Sequence, residues 1–123
     1  MGVGYKLVNI DKKQQVGFYN VDTGTKLREL SGTVIASTIV TYYLLTNTGH
    51  RIGFINDTEY RFVVCGQNYD SDYFTDFVDV TDKIIKELIE KGIIQDNGII
   101  WIDKEDNLFN RDLTNIWDPK IKS

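Results

Sequence analysis

TVIASTIVTYYLLTN, residues 33–47, is the longest apolar run in the chain, and whether it coils or extends decides the fold. Its apolar side chains recur as pairs at Ile35/Ala36, Ile39/Val40 and Tyr42/Tyr43, the three-to-four-residue spacing that gathers them on one face of a helix. Strand alternation fails, because it would send Ile35 and Ala36, and again Ile39 and Val40, to opposite faces. The many β-branched residues (Thr33, Val34, Ile35, Thr38, Ile39, Val40, Thr41, Thr46) oppose a helix through their stiff χ1. That opposition costs roughly 0.3–0.7 kcal/mol per residue. Burying each large apolar side chain stabilises by roughly 1.5–3 kcal/mol. Burial wins, so the spacing predicts a helix over 33–47. Thr33 or Ser31 can supply its N-cap oxygen, and Asn47-Thr48-Gly49 the left-handed stop. At about 1.5 Å per residue the helix spans roughly 22 Å, the width of a small domain. Its interrupting Ser and Thr residues argue against a membrane span. It is expected to be a buried rod against which the rest of the chain packs.

Working outward, YKLVNI at 5–10 and QVGFYN at 15–20 read as an N-terminal hairpin about the polar turn 11–14. Residues 21–24 are loop, and 25–30 form one or two helical turns broken at Ser31-Gly32. Beyond the main helix, 50–55 and 60–65 read as a second hairpin joined by Asn56-Asp57-Thr58-Glu59. Residues 66–78 have no clear period and read as a long loop. Asp79-Val80-Thr81-Asp82 then caps an amphipathic helix lined by Ile84, Ile85, Leu88 and Ile89, which ends at Lys91-Gly92. Asn97-Gly98 signals a turn before the strand 99–102, and 108–111 pairs back after another turn at 103–107. Leu113-Thr114-Asn115-Ile116-Trp117 closes the chain in an element of open type. The expectation is a single α+β domain over 1–118, two main helices on antiparallel β-hairpins, with a tail at 119–123.

With 123 residues, 41% hydrophobic and 26% charged, the composition is that of one globular domain. A net charge of −4 argues against a nucleic-acid partner, and aromatics at 12% allow a core edged by tyrosines. One cysteine, Cys65, leaves no internal disulfide and fits a reducing compartment. No basic segment followed by an apolar one opens the chain, so a cytoplasmic protein is expected. Neither a membrane partner nor a cofactor is expected, since no glycine loop follows a strand to cradle phosphate.

His50, the one histidine, has no HxxxH or CxxC companion, and reads as an imidazole placed after a helix end. A nucleophilic pair with Cys65 would need the two strands to bring them together, and no third residue is at hand to orient it. Residues 62–82 hold no Lys or Arg but carry Asp70, Asp72, Asp76, Asp79 and Asp82, interleaved with Tyr69, Tyr73, Phe74 and Phe77. Asp70-Ser71-Asp72 has the start of a calcium loop without its glycine or terminal glutamate. The plain reading is a solvated acidic loop with its aromatics tucked beneath. The more specific one is a face for a basic protein partner built from Tyr69, Asp70, Asp72, Tyr73, Phe74, Asp76 and Asp79.

KIIKELIEKGII at 83–94 followed by a hairpin resembles the helix and wing of winged-helix domains, yet Glu87 and Glu90 alternate with its lysines. The set GYKLVN at 4–9, YLL at 43–45, DVT at 79–81 and LTNIW at 113–117 resembles a group of small uncharacterised bacterial proteins across most of the chain. That resemblance implies no activity. In size and acidity the chain is also similar to immunity proteins of bacterial toxin systems. A non-enzymatic protein-binding module is therefore the leading expectation. Its alternatives are a winged-helix regulator and a small enzymatic or ligand-binding domain using His50 and Cys65.

Overall fold

A computed structural model describes residues 4–18, 21 and 25–116. The expected tail at 119–123, Trp117, the loop at 22–24 and the end of the second strand at 19–20 lie outside the described residues.

The first strand, β1 (Tyr5–Asn9), is apolar on both sides and becomes the middle of a sheet. It pairs antiparallel with β2 (Gln14–Val16), as expected of the N-terminal hairpin. Asn9 closes the turn: its Oδ1 accepts from the Asp11 and Lys12 N–H groups at 3.0 and 3.1 Å. Two helices follow, α1 (Leu27–Gly32) and α2 (Val34–Thr46), so the decisive run coils as its periodicity requires. The capping differs from expectation. The Thr33 and Ser31 hydroxyls donate back to the Glu29 and Leu27 carbonyls, both at 2.7 Å, because α1 ends directly against α2. Gly49, at φ 84°, supplies the left-handed turn out.

Where the sequence suggested a second hairpin, the chain does something else. β3 (Ile52–Asn56) pairs with the free edge of β1, Leu7 facing Phe54, instead of with the strand that follows it. Asn56 Oδ1 accepts from the Thr58 and Glu59 N–H groups at 3.0 Å, a turn that lifts β4 (Arg61–Val64) out of the sheet. There β4 lies over the sheet face. A Cβ at Gly53 would meet Val64 Cγ1 at 3.2 Å, a tight contact, so the glycine eases the close approach of β4. β4 pairs with β5 (Gln67–Asp70) through the two-residue loop Cys65-Gly66, both at positive φ (50° and 81°). The expected long loop at 66–78 thus holds a strand, a 3-10 turn (Ser71–Phe74) and the short β6 (Val78–Asp79), which adds parallel to β2.

α3 (Thr81–Glu90) buries Ile84, Ile85 and Leu88 as its amphipathic pattern predicts. Asp79 Oδ1 accepts from the Thr81 N–H at 2.9 Å, and Thr81 Oγ1 accepts from the Gly17 N–H at 2.8 Å, tying the helix start to the end of β2. β7 (Ile94–Asp103) and β8 (Leu108–Asn115) form a long antiparallel arm. Asn97-Gly98 is no turn between strands but a register shift within β7, with Gly98 at φ 107° and its N–H on Asp96 Oδ1. Leu113 to Asn115, of open type in the sequence, finish β8.

The result is α+β, with three α-helices and eight strands among the described residues, in sheets ordered β3-β1-β2-β6, β4-β5 and β7-β8. Two hydrophobic clusters share the central sheet. One joins Leu7 and Val16 to Ile39 of α2 and Ile85 of α3; the other joins Val8, Ile10 and Ile55 to Phe62, Val64, Phe74 and Phe77. Because β4 and β5 go to the second face, nothing described wraps the outside of α2. Ile35, Ala36, Ile39 and Tyr43 are buried, whereas Val34 and Leu45 remain 62% and 69% exposed. The expected buried rod is a half-covered helix. Leu7→Ala and Ile85→Ala are each expected to destabilise by about 2–5 kcal/mol. Leu45→Ala is expected to change stability by less than about 0.5 kcal/mol in denaturant melts. An equal cost at Leu45 and Leu7 would contradict this packing.

Candidate functional site

The acidic, aromatic segment is folded rather than looped. Pairing of Phe62 with Tyr69 and the 3-10 turn bring Tyr69 and Tyr73 together, ring centroids 4.8 Å apart. Both rest on Phe74, whose centroid lies 6.0 Å from that of Tyr69 and 5.5 Å from that of Tyr73. Phe74 in turn meets Phe77 at 5.1 Å. Phe74 and Phe77 are core residues, buried against Val8 and Ile10. Of the sequence-predicted set, Phe74 therefore supports the face from below, and Tyr73 is its exposed aromatic. The Tyr73–Phe74 and Phe74–Phe77 contacts are edge-to-face, a geometry that stabilises by about 0.5–1.5 kcal/mol beyond area burial, and Tyr69 leans on the same base at a tilt.

The carboxylates surround this base unequally. Asp70 pairs with Arg61 across the hairpin at 3.4 Å, and Asp76 with Lys13 at 3.9 Å, all four side chains well exposed. Such exposed pairs contribute about 0–1 kcal/mol and open readily to another cation. Asp72 is exposed and enters no ion pair among the described residues. Asp79 sits to one side, one oxygen occupied by the Thr81 hydroxyl at 2.6 Å.

His50 and Cys65 each have a different hydrogen-bond partner. Because the Asn9 oxygen is taken by two backbone N–H groups, its amide N–H donates to His50 Nδ1, at 3.1 Å. The ring thus continues the turn network of β1. Cys65 is exposed at the β4–β5 tip, its thiol 3.8 Å from the Ile52 carbonyl, and no hydrogen bond joins it to His50. Among the described residues no group of three His, Cys, Asp or Glu side chains is arranged for a metal ion. No helix is long and apolar enough to cross a membrane.

The fold also forms a concavity that local sequence patterns do not show. A cleft of about 830 Å³ opens between the start of β1, the β3–β4 turn and the 3-10 turn, with Phe18, Ile55, Phe62 and Phe74 in its floor. Lys6, Gln15, Asp57 and Asp79 also line it.

No family model matches the chain, and no curated protein or solved structure does either.

Near His50, the Arg51 guanidinium and then the Arg51 N–H hydrogen-bond Asp11, holding its carboxyl below the ordinary 3.8. A depressed carboxylate contributes stability above its unfolded pKa that disappears as pH falls through the folded one. The stability difference between the parent and Asp11→Asn is therefore expected to be constant above about pH 5 and to shrink below pH 4. Denaturant melts from pH 7 to pH 2 check this. A difference that grows on acidification would contradict the pairing.

Proposed function

We propose that the protein is a non-enzymatic binding module, cytoplasmic and immunity-protein-like, that holds a basic protein such as a toxin or nuclease. The binding face comprises Tyr69, Asp70, Asp72, Tyr73, Asp76 and Asp79, with Phe74 beneath. The observation that carries this reading is the tilted Tyr69–Tyr73 ring pair, set on buried Phe74 in a segment whose carboxylates are exposed. Tyrosines supply rigid contact area with few rotamers to freeze, and the carboxylates steer a cationic partner into register. Arg61 and Lys13 at the margin are the counter-ions a partner's lysines or arginines would displace. The resemblance to small bacterial proteins fits a compact accessory chain of this kind.

The two alternatives draw less support. An enzyme built on His50 and Cys65 would need the two in contact, and no hydrogen bond joins them among the described residues. A nucleic-acid-reading helix would need a basic outer face, and α3 presents Glu87 and Glu90 beside its lysines, with Glu87 accepting from the Tyr42 hydroxyl at 2.7 Å.

The test is affinity capture from the native host, followed by kinetics on the captured protein. The partner is expected to be basic. Charge reversal at Asp70, Asp72 and Asp76 to lysine is expected to slow association about tenfold or more at low salt, with the parent's rate falling as salt rises. An unchanged association rate in the charge-reversed variant would remove this face from consideration.

A further inference from the structure

Residues 30–49 carry no Asp, Glu, Lys, Arg or His, in a chain that is 26% charged. They include the whole of α2, which is covered on one side only. Ile35, Ala36, Ile39 and Tyr43 turn that side toward the core. At about 100° per residue, Val34, Ser37, Thr41 and Leu45 share the opposite side. All four are exposed. The outer side of a surface helix ordinarily carries charged residues among its polar ones. This one has none.

The neighbouring elements extend that uncharged surface. An apolar groove of about 480 Å³ runs along one flank of α2, walled by Tyr5, Leu27, Val40 and Phe54. A second, of about 510 Å³, runs along the other flank, walled by Tyr42, Leu88 and Ile93. Ser37 and Thr41 border both grooves, and no charged side chain lines either. Leu27, Val34 and Leu45 are 62–69% exposed, Leu44 and Phe54 43%. These five residues alone present on the order of 500 Å² per copy, so two copies would bring together about the 1,000 Å² that a specific interface needs.

Charge selects the occupant. With a net charge of −4, two copies repel wherever their acidic faces meet. A charged partner would find no counter-charge on α2, whereas a second copy brings the same uncharged surface. The face also matches itself. Val34 and Leu45 lie equally far from a midpoint near residue 39, and so do Ser37 and Thr41. A two-fold axis at that midpoint sets two α2 helices antiparallel, with Val34 of each copy toward Leu45 of the other. The small Ser37 and Thr41 side chains then meet at the crossing and allow the short end of the roughly 8–10 Å range of helix separations. We propose that the outer face of α2 is the interface of a homodimer, closed about this axis. α2 packs on the cluster of Leu7, and the tyrosine face on the cluster of Val8, the opposite side of the central sheet. Dimerisation therefore leaves the proposed protein-binding face open, and neither reading depends on the other.

Sedimentation equilibrium of the full chain from about 1 µM to about 500 µM tests this. A monomer–dimer equilibrium is expected, with a dissociation constant on the order of 10 µM. Thr41→Lys and Leu45→Lys are each expected to weaken it at least about tenfold, because each buries an unpaired charge in the contact. Both residues lie outside the chain's own core, so melting temperatures at about 1 µM, where the monomer prevails, are expected to hold. Val34→Lys and Leu45→Glu are expected to weaken association singly and to restore it when combined in one chain, since the axis brings the two new charges together. Val34→Lys combined with Leu45→Lys is expected to restore nothing. A chain that stays monomeric at 500 µM, or that passes beyond a dimer, overturns the proposal. So does association that survives Thr41→Lys and Leu45→Lys, that fails the charge-pair rescue, or that is lost instead on Trp101→Lys in the exposed β7–β8 arm.

Discussion

The structure depends on β1 being covered on both faces and paired on both edges. Leu7 is 2% exposed and Val8 fully buried, although neighbouring side chains on a strand point in opposite directions. A strand that is apolar both ways needs a layer above and a layer below. Here α2 and α3 supply one layer, and β4, β5 and the 3-10 turn the other. With β2 on one edge and β3 on the other, every later element is placed relative to these five residues. Asn9 adds a polar lock at the end of the strand, serving the turn with its oxygen and His50 with its nitrogen.

That constraint explains which parts of the fold could be read from the sequence. Local periodicity was enough for α2, α3 and the first hairpin, because their apolar spacing and turn residues agree with what they became. It failed where a long-range preference prevailed. His50 to Ile55 and Tyr60 to Cys65 look like a hairpin, yet the free edge of β1 offers β3 five ladder positions, and Gly53 allows β4 to lie across the sheet. Cys65-Gly66 was a two-residue turn hidden by a cysteine at positive φ, and so β5 was missed. The α2 run also carries Val34, Leu44 and Leu45 away from its buried face. Burial predicted from composition could not say that only one side would be covered.

The candidate sites follow the same division. The segment from Tyr69 to Asp79 was legible by composition, since a run free of Lys and Arg and rich in Asp and Tyr stands out. Which rings face solvent was not, because the burial of Phe74 and Phe77 against Val8 and Ile10 is set by the path of the chain through and after the 3-10 turn.

The most direct test is native-state hydrogen exchange on β1. If the strand is the shared wall of both clusters, the Leu7, Val8 and Asn9 amides will exchange only through global unfolding. Their opening free energies will then equal the stability from denaturant melts, while those of the β7–β8 arm tip will be lower. Exchange of the β1 amides as fast as that tip, with α2 still protected, would show that the helix and not the strand holds the fold together.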